Sequence, residues 1–260
     1  MTKIVIDPGH GGSDPGAVSG SYREKDFNLT IGKKVRDYLN TFYIVDVLMT
    51  RDTDKTLSLT ARTNYANSQN ADYYCSIHVN AGGGTGWESF IYNGSVSNKT
   101  IQAREIIHNS VMNKIGPMYG VRNRGKKRAN FHVLRETQMS AVLLENLFID
   151  TARDLSLLRS SSFINDLSSS ISEGLAIALS LQPKTITLYK VIAGSFLKEE
   201  NAEERRDFLI QNGIDAFISP TNLSGVLWYR VQAGAFSERK NAEDRVVEIK
   251  QLGITDVFIL

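Results

Sequence analysis

Apolar positions in the first part of the chain alternate between short continuous runs and longer stretches with helical spacing. The short runs are rich in β-branched and aromatic residues, which is typical of buried strands. They lie at residues 3–7, 43–50, 73–78, 87–92 and 141–144, and helical spacing covers residues 27–39, 59–70, 101–118 and 163–181. Strands separated by helices predict an α/β fold, a mostly parallel sheet with helices on both faces.

The last part of the chain contains an internal repeat. The segment YKVIAGSF at residues 189–196 matches YRVQAGAF at residues 229–236, and Asn-Ala-Glu occurs at residues 201–203 and again at 241–243. Each copy has the pattern of a strand, a helix and a second strand, and one copy alone cannot cover its apolar face. The two copies therefore predict one small α+β domain.

A proline near position 183 separates the two patterns. We therefore expect a first domain at residues 1–181, a linker at residues 182–187 and a second domain at residues 188–260.

Composition narrows the class of protein. With 260 residues, 42% of them hydrophobic and 22% charged, the chain has enough apolar surface for a core and is not disordered. The near balance of 30 basic and 28 acidic residues argues against a nucleic-acid partner. No apolar run approaches the ~18 residues of a membrane helix. The N-terminus lacks a signal-peptide pattern, so we expect synthesis in the cytoplasm.

Three polar residues follow or flank predicted elements in a way that favours a metal site. His10 lies in a glycine-rich loop after the first strand, His78 ends another strand, and Glu24 precedes the first helix. Ligands collect at the carboxyl ends of strands in open α/β sheets. Two imidazoles and one carboxylate match a catalytic zinc set that leaves one coordination position open. On position alone His10 is equally compatible with an ordinary turn histidine, and Asp14 and Asp26 are rival carboxylates.

Four sequence blocks carry a resemblance to a known family. They are IDPGHGGSDPGA at residues 6–17, REKD at 23–26, SIHVNA at 76–81 and LLENLFID at 143–150. In this order they resemble the zinc-dependent N-acetylmuramoyl-L-alanine amidases of the Amidase_3 type. The resemblance implies a six-stranded α/β domain that hydrolyses the amide between N-acetylmuramic acid and L-alanine in peptidoglycan. It also implies one zinc ion per chain, bound by His10, Glu24 and His78, and a catalytic role for Glu145.

The remaining polar residues of this domain have weaker signals. A carboxylate near a reactive water accepts its proton and later protonates the leaving amine. Without the resemblance, however, Glu145 is more simply an ordinary strand-end carboxylate. Asp7 is a candidate acceptor for the second ring nitrogen of His10, with loop capping as the alternative. We expect His108 to be a surface or packing residue, and His132 is a weak candidate for the substrate groove. The basic stretch at residues 122–128 is interpreted as a solvated loop, with attraction to an anionic cell wall as the functional alternative.

The repeat resembles the SPOR domain, which implies a four-stranded antiparallel sheet, two helices on one face, and binding to glycan strands that lack stem peptides. Alternation along the strand predicts an open face that presents Trp228, Arg230, Gln232 and Lys190. An exposed indole with polar neighbours suits a sugar ring, although Trp228 packed on the linker is the alternative. Ile192 stands where the second copy has Gln232, so the contribution of the first copy to glycan contact is open.

Together the patterns predict a two-domain cell-wall hydrolase. The domain order resembles the mother-cell lytic amidases of sporulating bacilli, and a phage endolysin of the same plan is nearly as compatible. Two further candidates are a peptidoglycan-binding protein without activity and a zinc peptidase that cuts within the stem peptide. We expect peptidoglycan as the partner, no membrane and no protein partner, and action on the wall after release from the cell.

Overall fold

The computed structural model describes residues 1–185 and 188–260, so part of the predicted linker at residues 182–187 lies outside the described residues. The chain forms two compact units, Met1–Lys184 and Thr185–Leu260. In the first unit, residues 182–184 pair with the segment after the first helix, since Ile44 N donates to Gln182 O and Lys184 N donates to Phe42 O. No helix within the two described ranges combines the length and hydropathy that a bilayer crossing requires.

Eight strands and six helices alternate in the first unit. The strands are β1 (Lys3–Pro8), β2 (Val18–Ser19), β3 (Tyr22–Arg23), β4 (Asp46–Met49), β5 (Tyr73–Asn80), β6 (Trp87–Tyr92), β7 (Asn123–Ala129) and β8 (Ser140–Phe148). The helices are α1 (Glu24–Phe42), α2 (Leu59–Ser68), α3 (Asn98–Tyr119), α4 (His132–Arg135), α5 (Ala152–Leu158) and α6 (Ser161–Ala178). The predicted α/β class is confirmed.

One six-stranded sheet, in the order β4-β1-β5-β8-β6-β7, organises this unit. β6 pairs with β8 in the antiparallel sense and with β7 in the parallel sense, whereas the other pairs are parallel. β6 and β7 therefore begin at the edge of the sheet where β1, β5 and β8 end. The candidate metal ligands His10, Glu24 and His78 lie at this edge.

Two apolar clusters cover the two faces of the sheet. The larger lies under α1, α3 and α6 and contains Ile31, Ile107 and Phe163, all fully buried. The smaller lies under α2 and α4. Serine side chains at positions 58, 97 and 160 cap the starts of α2, α3 and α6, which satisfies backbone N–H groups that have no partner within the helix.

The basic stretch at residues 122–128 was expected to be a solvated loop, and that expectation is wrong. Residues Asn123–Ala129 form β7, the last strand of the sheet. An edge strand exposes one side of its backbone and tolerates many charged side chains. Its apolar alternation is consequently too weak to identify it from the sequence.

The described part of the second unit, from residue 188 to 260, consists of four strands and two helices. They are β9 (Tyr189–Phe196), α7 (Glu199–Gln211), β10 (Phe217–Leu223), β11 (Val226–Phe236), α8 (Arg239–Gln251) and β12 (Phe258–Ile259). The strands form an antiparallel sheet in the order β10-β11-β9-β12, as the resemblance to the SPOR domain implied. Val191, Ala193, Val231 and Ala233 point into the core that both helices cover.

Candidate metal centre and active site

The first unit brings His10, Glu24 and His78 together at one edge of its sheet. His10 follows β1, Glu24 is the first residue of α1, and His78 lies near the end of β5. One ligand atom from each side chain lies within 4.8 Å of the other two. Within residues 1–185 and 188–260, no fourth His, Cys, Asp or Glu joins this cluster.

Glu24 is the centre of the cluster and is held from several sides. Its Oε1 lies 2.9 Å from His78 Nδ1 and accepts a hydrogen bond from Val79 N, while its Oε2 lies 3.2 Å from His10 Nε2 and accepts from Ala17 N. Burial raises the pKa of this carboxyl, but hydrogen bonds and charge from the two imidazoles outweigh it and hold the pKa well below its usual range. Glu24 is therefore an anion fixed between two imidazole rings.

Two glycines make room for the cluster. A Cβ atom at Gly9 would lie 2.2 Å from His78 Cε1, and a Cβ atom at Gly16 would lie 2.5 Å from Glu24 Oε2. Gly16 also has φ +65°, a conformation that residues with a Cβ rarely adopt. The glycine-rich sequence of this loop thus follows from the close approach of the three side chains.

The second ring nitrogen of His10 contacts Asp14 and not Asp7. The distance from His10 Nδ1 to Asp14 Oδ2 is 2.8 Å. Burial lowers the pKa of His10, but hydrogen bonds and charge from Glu24 and Asp14 raise it to about 9. The expectation that Asp7 accepts from His10 is therefore not met, since the loop turns back and places Asp14 beside the ring.

Asp7 instead belongs to a buried polar network beneath the loop. Its Oδ1 accepts from Arg62 Nη1 at 2.8 Å and from Thr50 Oγ1 at 2.6 Å, and its Oδ2 accepts from Ser76 Oγ at 2.8 Å. Arg62 also donates to the backbone oxygens of Pro8 and His10. This network ties the end of β1 to α2 and fixes the backbone that carries the first imidazole.

Glu145 lies beside the cluster on the neighbouring strand. It pairs in register with His78 of β5 on one side and with Glu88 of β6 on the other. Its Oε2 is buried and has no hydrogen-bond partner among the described residues. Burial raises the pKa of Glu145 to about 7, with the charges of Glu24 and Glu88 adding to the rise and that of His78 opposing it.

A small cavity opens next to the three clustered side chains. Its volume is about 210 Å³, and its lining includes Gly9, His10 and His78 together with Leu57 and Leu59. Apolar and polar groups thus meet in this cavity beside the two imidazoles.

Sequence reasoning did not single out Glu88. It is a buried carboxylate at the second position of the mostly buried strand β6, where a charged residue is itself a signal that it has a partner. Asn80 Nδ2 donates to its Oε1 at 2.8 Å, and Arg124 Nε donates to its Oε2 at 3.0 Å.

The other histidines lie outside the cluster. His108 is buried on α3, where its ring packs on Trp87 and lies within hydrogen-bond distance of Ser89 Oγ and Asn123 Oδ1. His132 begins α4, and its Nε2 is buried without a partner among the described residues.

The candidate glycan residues of the second unit share one face of its sheet. Trp228, Arg230 and Gln232 lie opposite Thr221, Ser219 and Phe217 of β10. Gln232 is only 8% exposed, because Ile192 and Phe217 flank it in the neighbouring strands, so it is less accessible than alternation alone indicates.

A row of polar groups crosses this face at the level of Arg230. Arg230 pairs with Ser195, and both Arg230 Nε and Ser195 Oγ are buried without a partner among the described residues. Lys190, at the start of β9, is exposed.

Comparison with known proteins agrees with this architecture. A family model described as N-acetylmuramoyl-L-alanine amidase matches residues 4–177, and the SPOR domain model matches residues 186–260. The amidase CwlM of Bacillus licheniformis is 45% identical over 219 residues, which is 84% of this chain and 85% of the relative. The sporulation-specific N-acetylmuramoyl-L-alanine amidase of Bacillus subtilis (strain 168) is 44% identical over 84% of each chain. An endolysin of Bacillus phage SPP1 is 43% identical over 71% of this chain and 69% of its own length.

Solved structures resemble the first unit. The catalytic domain of CwlV from Bacillus (Paenibacillus) polymyxa var. colistinus has a TM-score of 0.64 and 33% identity, over 70% of this chain and 100% of that domain. An amidase from Clostridium difficile 630 has a TM-score of 0.65 and 31% identity, over 69% of this chain and 97% of its own. The resemblance inferred from the four sequence blocks is thereby confirmed. The chain belongs to the N-acetylmuramoyl-L-alanine amidase family, and a SPOR domain follows its catalytic domain.

Proposed function

We propose that this amidase hydrolyses the bond between N-acetylmuramic acid and L-alanine with the help of one zinc ion held by His10, Glu24 and His78. The observation that supports this most directly is the juxtaposition of that cluster with the unpaired buried oxygen of Glu145. A carboxylate and two imidazoles around one point are a donor set that suits zinc.

The residues around the cluster fit such an ion. Because Asp14 occupies Nδ1 of His10, the Nε2 atom that faces Glu24 is left to bind the metal. Metal-binding imidazoles commonly hold a carboxylate on the other nitrogen in this way, which fixes the tautomer and orientation of the ring. When bound, zinc would polarise the substrate carbonyl and lower the pKa of a water molecule to about 7.

Glu145 is proposed as the group that moves the proton. Its unpaired Oε2 is available to take a proton from the attacking water and to return it to the nitrogen of the leaving L-alanine. The register of β5, β8 and β6 fixes its backbone beside His78, and no described residue competes for that oxygen.

The second unit is proposed to hold the enzyme on glycan strands that lack stem peptides. Trp228 offers an aromatic surface for a sugar ring, and Arg230, Gln232 and Lys190 offer polar groups for its hydroxyls. Linking this unit to the amidase raises the concentration of cleavable bonds near the metal centre without any new contact in the active site.

Lysis of the mother cell during sporulation is the biological role that we propose, with phage endolysin as the alternative. Support for the first comes from the sporulation-specific amidase of Bacillus subtilis, whose match covers 84% of this chain. The match to the phage endolysin covers 71% of this chain, so a role as an endolysin is a candidate for the same chemistry.

Digestion of purified peptidoglycan, followed by mass spectrometry, tests the proposed reaction. We expect peptides with a free N-terminal L-alanine and glycan strands with free lactyl groups. A chelator should abolish product formation and added zinc should restore it. Cleavage within the peptide would indicate a peptidase, and binding without release of products would indicate a wall-binding protein with no activity.

A further inference from the structure

A row of charged side chains continues from the active site across the sheet. His78 on β5, Glu145 on β8 and Glu88 on β6 are partners in register on three neighbouring strands. The next strand is β7, which begins at the same edge of the sheet and carries Arg124 as its second residue. Arg124 therefore lies at the active-site edge, two strands away from Glu145.

Glu88 anchors this end of the row. Its carboxylate is buried, accepts from Asn80 Nδ2 and from Arg124 Nε, and also contacts Lys127 Nζ. Three donors thus satisfy its two oxygens, which a buried carboxylate requires. Two cations against one anion leave an excess of positive charge at this position.

The guanidinium of Arg124 is held in place, but only part of its hydrogen-bonding capacity is occupied. Its Nε donates to Glu88, and its guanidinium lies 4.7 Å from the centre of the Phe148 ring. Among the described residues neither terminal nitrogen of Arg124 has a hydrogen-bond acceptor, and 26% of the side chain is exposed. A planar guanidinium that is immobilised with its two terminal nitrogens free has the geometry to bind a carboxylate.

We propose that Arg124 binds a carboxylate of the stem peptide and thereby determines which peptides the amidase accepts, an inference that rests on the proposed function. The lactyl group of N-acetylmuramic acid loses its carboxylate when it forms the amide, so the sugar side of the bond offers no anion here. The peptide side of the bond does carry free carboxylates. Charge complementarity therefore directs the peptide from Glu145 across β6 toward β7.

The spacing of the strands limits which carboxylate reaches Arg124. Two strand spacings amount to about 10 Å. An extended peptide covers this distance in about three residues. The carboxylate is therefore expected on one of the first residues that follow the cleaved bond.

The test uses the full chain and two synthetic muramoyl peptides that are identical except for the carboxylates of their first three residues. In one substrate these groups are free, and in the other they are primary amides. We expect the wild-type KM to be about tenfold lower for the free acid, with kcat within about twofold, because loss of one charged hydrogen-bonded contact is a binding effect.

Variants of β7 assign this preference to one side chain. Arg124→Gln should lose the preference, and Arg124→Lys should keep only part of it, since lysine retains the charge without the planar fork. Arg128→Gln is the matched control and should keep the preference, because Arg128 lies near the other end of β7 and donates to the backbone of Tyr92 and Gly94.

The outcomes separate this inference from the proposed function. If the wild-type chain cleaves neither substrate, the proposed function fails. If it cleaves both with the same KM, or if the preference survives in Arg124→Gln, the amidase stands and Arg124 is only a partner for Glu88. If Arg124→Gln does not fold, Arg124→Lys takes its place. A preference for the free acid as strong in Arg124→Lys as in the wild type would then contradict the proposal, and a weaker one would support it.

Discussion

At the residue scale, the sequence identified the candidate metal ligands and the candidate catalytic carboxylate, but not the residues that contact them. His10, Glu24, His78 and Glu145 follow from short blocks whose order resembles the family, and three of the four form the observed cluster with Glu145 beside it. Glu88 was missed because its importance depends on pairing between β6 and β8, which are far apart in the chain. No local pattern encodes that register.

Replacing Glu145 by glutamine tests its role in proton transfer. The amide cannot accept a proton from water, so we expect kcat to fall by about 10²-fold to 10⁴-fold while zinc content stays unchanged. Rates on peptidoglycan and elemental analysis of the same preparation measure the two effects. Glu136→Gln is the control, since Glu136 is exposed and pairs with Arg135 at the surface. Near-normal turnover of Glu145→Gln would remove this residue from the mechanism.

Alanine at Gly16 tests the steric requirement of the metal centre. The new Cβ would lie 2.5 Å from Glu24 Oε2, so we expect zinc affinity to fall by at least about tenfold. Gly20 is the matched control, because it has φ +59° and nothing lies within 4 Å of a Cβ built there. Both alanines carry the cost of a positive φ, but only the first displaces a ligand. Competition with a chelating dye measures the zinc affinity of both variants. Equal affinities would contradict the proposal that Gly16 makes room for the metal ligands.

At the scale of elements, the sequence predicted strands and helices where apolar periodicity is strong and failed where it is weak. The runs at residues 73–78 and 141–144 became the central strands β5 and β8. The charged edge strand β7 was expected to be a loop because its exposed position removes the apolar signal. The sequence likewise did not predict that α1 begins at Glu24, because this residue points to the His10–Glu24–His78 cluster and adds nothing to the apolar periodicity of the helix.

The contact between β1 and α2 gives a prediction about acid stability. Burial raises the pKa of Asp7, but Arg62 and Thr50 outweigh it and leave the pKa below its usual value of 3.8. A carboxyl whose pKa is lowered by folding stabilises the native state above its unfolded pKa, and this contribution is lost as the pH falls through the folded pKa.

Asp7→Asn should therefore lower the free energy of unfolding by about 3–5 kcal/mol near neutral pH, because it leaves Arg62 buried without its counterion. The difference from the wild type should shrink below about pH 4, where the carboxyl of the unfolded chain begins to take up a proton while the native carboxyl is still charged. Urea unfolding at several pH values measures this. The exposed Asp37→Asn is the control, and a difference that does not change with pH would contradict the assignment.

At the scale of the whole molecule, the repeat and the proline near position 183 are enough to indicate a second folding unit. The structure divides the chain into Met1–Lys184 and Thr185–Leu260. Gln232 shows the limit of that reasoning, since alternation places it on the open face but its neighbours in adjacent strands bury it. Side-chain direction follows from sequence periodicity, whereas accessibility depends on strand order.

Removal of the second unit tests whether cleavage belongs to the first unit and glycan binding to the second. A chain that ends at Thr185 keeps the pairing of residues 182–184 with the first unit, so we expect it to fold and to cleave a soluble muramoyl peptide at the wild-type rate. Its binding to denuded glycan in a sedimentation assay should be lost. Trp228→Ala in the full chain is the companion variant and should weaken the same binding. Unchanged sedimentation of the shortened chain would place glycan binding in the catalytic unit.

The central claim is that three side chains from separate elements hold one zinc ion. Anomalous diffraction at the zinc absorption edge, measured on crystals of the full chain grown with zinc, tests it most directly. We expect a single strong peak within coordination distance of His10 Nε2, Glu24 and His78. A peak elsewhere in the molecule, with no density between the two imidazoles, would contradict the account.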